Sequence, residues 1–445
     1  MKVRTLLGLI VMCVVIPLTS MGSGFHIREQ GAKAMGMANA FVAQADDPSA
    51  VFYNPAGIAF SEGTAISLGV TVINVPETKF SGTTKLGDRA AGLGIEKSGS
   101  TKARDDIFFP PNFYITTSKA DSPWAFGIGI SSLFPLAKRW DTTSPFRDEI
   151  KEIAIKPVNI NPTIAYRFDS LNLAVAVGIN YTYADVWLEK SSCTDTYAFT
   201  AKGIPGYATA PGEQVIQMGE LEMEADGDGW GYNAGLLWKP SERISIGVSY
   251  RSEIELDFDG DADYQITTAG QSFYTQMGYS DMIYSVGAVT KITLPDMWSF
   301  GIALKPTERL TVEFDADHFG WSSYSSLNIY FDENDVLPNS LTRKDWNDVW
   351  AYRVGMQYAV TETFDLRLGY ARDNNPIPND TIGPELPDAD RNNYTFGFGF
   401  KGERAVFDFA YMWVDFDDRD VNNNIQTGTY ESDAYLFAAN LTYFF

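Results

Sequence analysis

Two histidines and two cysteines limit the side-chain chemistry of this 445-residue chain. A hydrolase needs a nucleophile beside a base, and the nearest approach to that pattern is His318 with Asp317 and Ser322. A histidine in such a setting is more often a packed strand residue than a base. The other one is His26, and no enzymatic activity is expected. Cys13 falls in an apolar leader, which leaves Cys193 alone in the exported chain and excludes an internal disulfide or a four-cysteine zinc site. The acidic run at 415–420 lacks the spacing of an EF-hand, so neither metal nor cofactor is expected.

What the sequence offers instead is apolar surface in unusual places. Residues 260–285 contain Tyr264, Phe273, Tyr274, Met277, Tyr279, Met282, Ile283 and Tyr284, far greasier than a solvated loop requires. These rings either hold an apolar molecule or pack the loops on one another. Leu133-Phe134-Pro135-Leu136 sets a proline inside what reads as a strand, where its missing N–H interrupts the ladder and predicts a kink. Pro157 and Pro162 in the following strand are expected to mark bulges at most.

The balance of charges, 34 basic against 57 acidic, gives a formal net charge of −23, which repels nucleic acid. Lys2 and Arg4 precede an apolar run from 6 to 18, and Ser20-Met21-Gly22 supplies small residues at a cleavage site. Residues 1–22 therefore read as an export signal removed after Gly22. Beyond it no apolar stretch is long enough for a membrane-spanning helix.

Period-two alternation dominates the rest. From 244 to 258 the even positions read Ile244, Ile246, Val248, Tyr250, Ser252, Ile254, Leu256, Phe258, against polar or small odd positions, one greasy face over 15 residues. The run 171–184 and the segments around Tyr394 and Tyr435 behave in the same way. Tight connections such as Lys239-Pro240-Ser241 and Lys305-Pro306-Thr307 alternate with long polar ones near 76–106, 191–228, 260–285 and 373–390. A sandwich of two sheets also alternates, but short turns on one side and long loops on the other are the mark of a transmembrane β-barrel. Counting gives 14 strands, from 64–75 to 430–445, with strand three at 123–140, strand six at 229–239 and strand nine at 308–330. The fold expected is an all-β membrane protein, a 14-stranded antiparallel barrel in the outer membrane of a Gram-negative bacterium. Its terminal Phe445 suits the barrel assembly machinery, its surroundings are outer-membrane lipid and lipopolysaccharide, and nothing calls for more than a monomer.

Residues 23–63 do not alternate. Small residues over 30–45 and Asp47-Pro48 as a cap and first helical position predict short helices, and Phe25, Ile27, Phe41, Val51 and Phe52 need apolar partners that water cannot supply. This segment is expected to fold into the lumen as a plug, ahead of a barrel at 64–445. A general porin would not need such a plug.

Gly24-Phe25, Gly36-Met37-Ala38-Asn39-Ala40, Ala45-Asp46-Asp47-Pro48 and Tyr53-Asn54-Pro55-Ala56-Gly57 resemble the amino-terminal hatch of the long-chain fatty-acid transporter (FadL-type) family. Trp230-Gly231-Tyr232-Asn233-Ala234-Gly235, Leu294-Pro295-Asp296-Met297-Trp298, Ala351-Tyr352-Arg353-Val354-Gly355 and Leu386-Pro387-Asp388 extend the likeness along the mature chain. The resemblance implies uptake of hydrophobic molecules, foremost long-chain fatty acids, with uncharged aromatic or aliphatic hydrocarbons as the alternative. It implies capture between the long loops, with Phe273, Tyr274 and Met277, passage to an inner site with Phe25, and lateral release at the third strand around Phe134, Pro135 and Leu136. Asn54-Pro55-Ala56 would be a hatch turn whose movement gates the path. Lys190 aligns with a basic position facing the family's inner site, where it would meet a carboxylate. A second basic position falls on Asn328, which leaves uncharged ligands open. Arg251 and Arg353 face the lumen by alternation and are expected to pair with acids there.

Overall fold

The computed structural model describes residues 24–87, 95–201, 206, 208–210, 212–276, 283–333 and 337–445. The expected leader lies outside these residues, as does Met277. Alternating segments pair with their sequence neighbours throughout, and the first strand closes on the last. The strands are β1 (Gly63–Val75), β2 (Asp106–Phe108 and Pro111–Ser118), β3 (Trp124–Ser131 and Leu136–Arg139), β4 (Glu152–Phe168) and β5 (Leu173–Asp195). Then follow β6 (Val215–Ser241), β7 (Ile244–Arg251 and Ile254–Ile266), β8 (Ile283–Leu294 and Met297–Thr307), β9 (Leu310–Phe319 and Ser326–Phe331) and β10 (Ser340–Arg343 and Val349–Ala359). The last four are β11 (Phe364–Asp373), β12 (Arg391–Lys401), β13 (Ala405–Phe416) and β14 (Asp433–Phe444). Ladders Ala65↔Phe444 through Asn74↔Tyr435 join β1 to β14, making a closed antiparallel barrel of 14 strands. Closure removes the exposed edges that an open sheet would present. Among the described residues no helix is long and apolar enough to cross a membrane.

Strand boundaries hold where one face is greasy and the other polar, and they move where acids line the outside. Strand six begins at Val215, not near 229, and strand five runs on to Asp195, so most of the expected loop at 191–228 is a long hairpin. Leu221, Met223 and Ala225 face inward there, while Glu224 and Asp226 face outward into water. The loops at 76–106 and 417–431 are likewise structured: Lys79–Leu86, Ile95–Lys102, Arg419–Asn422 and Gln426–Glu431 form a separate four-stranded sheet over the barrel.

The continuous greasy face expected from 244 to 258 is two faces. Ile244, Val248 and Tyr250 turn outward, whereas Ile254, Leu256 and Phe258 are buried in the lumen. The switch occurs at Ser252-Glu253, where the register steps by one residue between Asn233↔Arg251 and Asp228↔Asp257. β8 breaks at the same level, between Leu294 and Met297. The lower piece of β7 is 8 residues long. At ~3.3 Å per residue and a tilt of ~40° such a piece covers roughly 20 Å, close to the apolar band a barrel shows to lipid. A belt of rings that includes Tyr181, Trp230, Tyr250, Trp298 and Trp350 marks its upper limit.

Candidate functional site

Below the belt the lumen is polar, and its side chains hold the hatch by the hatch's own backbone. Residues 24–62 enter the barrel with two one-turn helices, Ala32–Met35 and Ala50–Tyr53, and a 3-10 turn, Pro55–Phe60. The second helix is capped by Ser49, not by Asp47 as expected, and begins at Ala50 rather than Pro48; the Asp47 carboxylate accepts Ser49 N–H at 2.8 Å just ahead of it. Asp315 on β9 accepts the N–H groups of Phe41 (2.8 Å) and Val42 (3.1 Å), and Glu313 those of Ala43 (2.6 Å) and Gln44 (2.9 Å). Arg353 bonds Asp317 at 2.6 Å, Asp373 at 2.9 Å and the Ala38 carbonyl at 3.3 Å, while Arg28 of the hatch reaches Asp317 at 2.9 Å. Arg251 is luminal too, but it donates to Asn180 and to the Phe52 carbonyl (3.4 Å) rather than to an acid.

The Asn54-Pro55-Ala56 turn is pinned to the wall. The Asn54 amide donates to Val42 O (2.8 Å) and to Leu236 O of β6 (3.0 Å), and its carbonyl accepts Ala56 N–H (3.2 Å). Such closeness requires Gly235, since a Cβ there would lie 2.4 Å from Asn54 Oδ1 and 2.8 Å from Pro55 Cδ. Gly235→Ala is therefore expected to cost about 1–3 kcal/mol by overpacking and to shift the turn inward. Unchanged melting of the purified barrel, with unchanged amide exchange at 54–56, would discard that reading.

Above the belt the lumen is hollow, mixed in polarity at the mouth and mostly apolar further in. A cavity of about 500 Å³ opens under the loops, lined by Lys190, Tyr264, Tyr274, Leu188 and Met223 among others. It shares Leu188, Met223, Leu327, Ile329, Lys344 and Glu385 with a narrower inner chamber of about 60 Å³. Phe25 and Leu136 line that chamber, so it reaches both the start of the hatch and the third strand. Lys344 and Glu385 are the two charged residues among its described lining. They pair with each other at 2.5 Å, with Lys344 almost fully buried and Glu385 about a quarter exposed.

The third strand is interrupted where Pro135 predicts. Ladder pairing with β2 ends at Phe113↔Ile130, and Leu136–Arg139 pairs with β4 alone until the Ala103↔Trp140 bridge above. The intervening segment turns inward: Ile27 N–H donates to Leu133 O at 2.9 Å, and Phe134 packs its ring on Phe25 at 5.9 Å. Neither Pro157 nor Pro162 breaks β4. A matching interruption on β9, unanticipated, sends Trp321 inward, where it meets Phe25 at 5.0 Å and Phe134 at 5.7 Å.

The two loops divide their aromatics between both roles offered by the sequence. Phe273 stacks on Phe199 at 4.0 Å and packs the loops together, while Tyr274 lines the outer cavity beside Lys190. Asn328 is not part of the inner chamber's lining but faces the outside of the wall, its amide on Ser326 Oγ at 3.2 Å. The inner cation is Lys344, which lies in a polar stretch without alternation and gave no sign of facing a cavity. Among hatch anchors, Asp388 accepts Gly24 N–H at 3.1 Å, and burial pushes its carboxyl up to about 6 against the pull of Arg391. His318 meets Trp350 edge-on at 4.9 Å at the outer face, whereas Asp317 points into the lumen. These neighbours do not form a catalytic pair.

Known proteins bear out this architecture. The chain is 23% identical over 454 residues to the long-chain fatty acid transport protein of Escherichia coli O6:H1, covering 98% of each. Its structure superposes on that of a Pseudomonas aeruginosa FadL homologue with a TM-score of 0.81 at 21% identity, over 95% of this chain and 100% of that one. For the Ralstonia pickettii toluene transporter TbuX the TM-score is 0.66 at 16% identity, over 95% and 99%. The profile of the family described as outer membrane protein transport protein (OMPP1/FadL/TodX) matches residues 13–445. The chain belongs to that family of outer-membrane transporters for hydrophobic substrates.

Proposed function

We propose that this transporter takes up long-chain fatty acids, captured under the loops, drawn into the inner chamber and released sideways at the interruption of β3. The observation that carries this reading is the path from Tyr274 and Lys190 at the mouth to Phe25 and Leu136 beside the break, mostly apolar in its inner part and with a buried lysine on the way. Each methylene withdrawn from water contributes about 0.8 kcal/mol, so the tail supplies most of the affinity. The head decides between ligands: a carboxylate in apolar surroundings needs a cation, and Lys344 is one, with Glu385 as the acid it must exchange. Lys190 would receive the head earlier, at the mouth. The Asn54 turn would hold the hatch shut below until the cargo has left through the wall. Uncharged hydrocarbons are the second reading, favoured by Glu385 itself, which already neutralises Lys344. The likeness to a toluene transporter's fold is compatible with either.

Binding of oleate and of hexadecane to the purified protein separates the two. Lys344→Met is expected to weaken oleate by about tenfold, the ~1.4 kcal/mol of a modest charge-assisted bond, and to leave hexadecane unchanged. Lys190→Ala should slow oleate capture more than it alters the final affinity. Oleate indifferent to Lys344→Met, with hexadecane bound equally well, would establish the hydrocarbon reading instead.

A further inference from the structure

We infer that the barrel has a second lateral port, between β8 and β9, through which uncharged apolar molecules pass between the outside of the wall, just above the apolar band, and the inner chamber. The inference rests on the uptake reading above. Pairing of β8 with β9 runs from Met297↔Phe319 downward and resumes at Thr290↔Ile329, leaving 291–296 and 320–328 without a shared ladder. On the outer face this gap is a notch of about 480 Å³, rimmed by exposed Val289 and Tyr330 just above the belt ring Trp298. Thr290 and Tyr324 line both this notch and the inner chamber, so one residue's thickness of wall separates outside from inside. The gap is a counterpart of the one on β3. Each break turns an aromatic ring inward, and Phe134 and Trp321 meet across the lumen at Phe25.

The chemistry of the rim sets the cargo. Asp257 and Asp259 stand on it beside Lys291, whose ammonium is held by Glu255 at 2.9 Å and Asp257 at 2.6 Å. Such a rim repels a carboxylate, whereas the route past Lys190 and Lys344 attracts one. The door is Tyr324, whose ring rests on Trp346 at 5.0 Å, and Thr290 Oγ1 latches the strands by donating to Asn328 O at 2.8 Å. Rotation of Tyr324 would join the notch to the chamber and give up its edge contact with Phe25 at 6.3 Å.

The test compares uptake of labelled toluene and labelled oleate by cells producing the full chain. Asn328→Trp fills the notch from outside, and Tyr324→Ala removes the door. Toluene uptake is expected to fall by roughly fivefold in Asn328→Trp and to rise in Tyr324→Ala, with oleate uptake in Asn328→Trp unchanged as proof of a folded barrel. Toluene uptake indifferent to both substitutions overturns the port while leaving the uptake reading intact. Equal loss of toluene and oleate in Asn328→Trp, with normal heat-modifiability, also overturns it, because the notch then serves a common path. A wild-type protein that admits neither probe overturns the uptake reading and the port together.

Discussion

Arg353→Met is expected to destabilise the barrel by about 3–5 kcal/mol, because it strands buried carboxylates that one guanidinium now joins. The arrangement decides where in that range the loss falls. Asp317 keeps Arg28, and Asp373 keeps Asn393 at 2.8 Å and Arg391 at 3.4 Å, so neither acid is left wholly unpaired. The lower end is therefore expected for the wall, with an added loosening of the hatch as Ala38 O loses its donor. Thermal unfolding followed by heat-modifiability on gels reads the first, and amide exchange around 38 reads the second. A melting shift worth less than ~1 kcal/mol would mean that water or a rearranged Arg28 already satisfies these acids, and the network would not be what holds the lumen together.

The double change Glu313→Ala with Asp315→Ala should release the hatch while leaving the barrel closed. Four consecutive N–H groups of residues 41–44 end on these two carboxylates, and each donor left unsatisfied in a buried site costs about 1–3 kcal/mol. The strand itself survives, since its ladders to β8 and β10 are backbone bonds that do not involve these side chains. Exchange of amides 41–44 is expected to quicken by roughly a hundredfold or more, with β9 amides unaffected. Glu313→Gln and Asp315→Asn, which keep one acceptor oxygen each, should fall between. Slow exchange at 41–44 in the double variant would show that Asn54 and Arg28 suffice to dock the plug.

Much of this could be read beforehand because a barrel in lipid writes its fold into parity. The number of strands, their closure and the luminal positions of Arg251 and Arg353 all follow from which neighbour is greasy. Pro135 announced its kink because a closed barrel has nowhere to hide a residue lacking an N–H. The same rule misled once the wall left the membrane: Glu224 and Asp226 face water there, and a strand with acids outside resembles a loop. Lys344 was illegible for a different reason. Its partner Glu385 is far away in sequence and its neighbours in the chamber come from six other strands, so no local pattern marks it. The β9 break carries no proline, and it shows in the lost pairing with β8 and the packing of Trp321 against Phe25 rather than in any residue type.

The face switch at Ser252-Glu253 also bears on how such a protein changes over time. Substitutions below it meet lipid, and those above it meet the interior of the barrel. One strand thus answers to two different surroundings divided by a dipeptide, so the packing of Ile254, Leu256 or Phe258 inside the barrel can change without any renegotiation with the membrane.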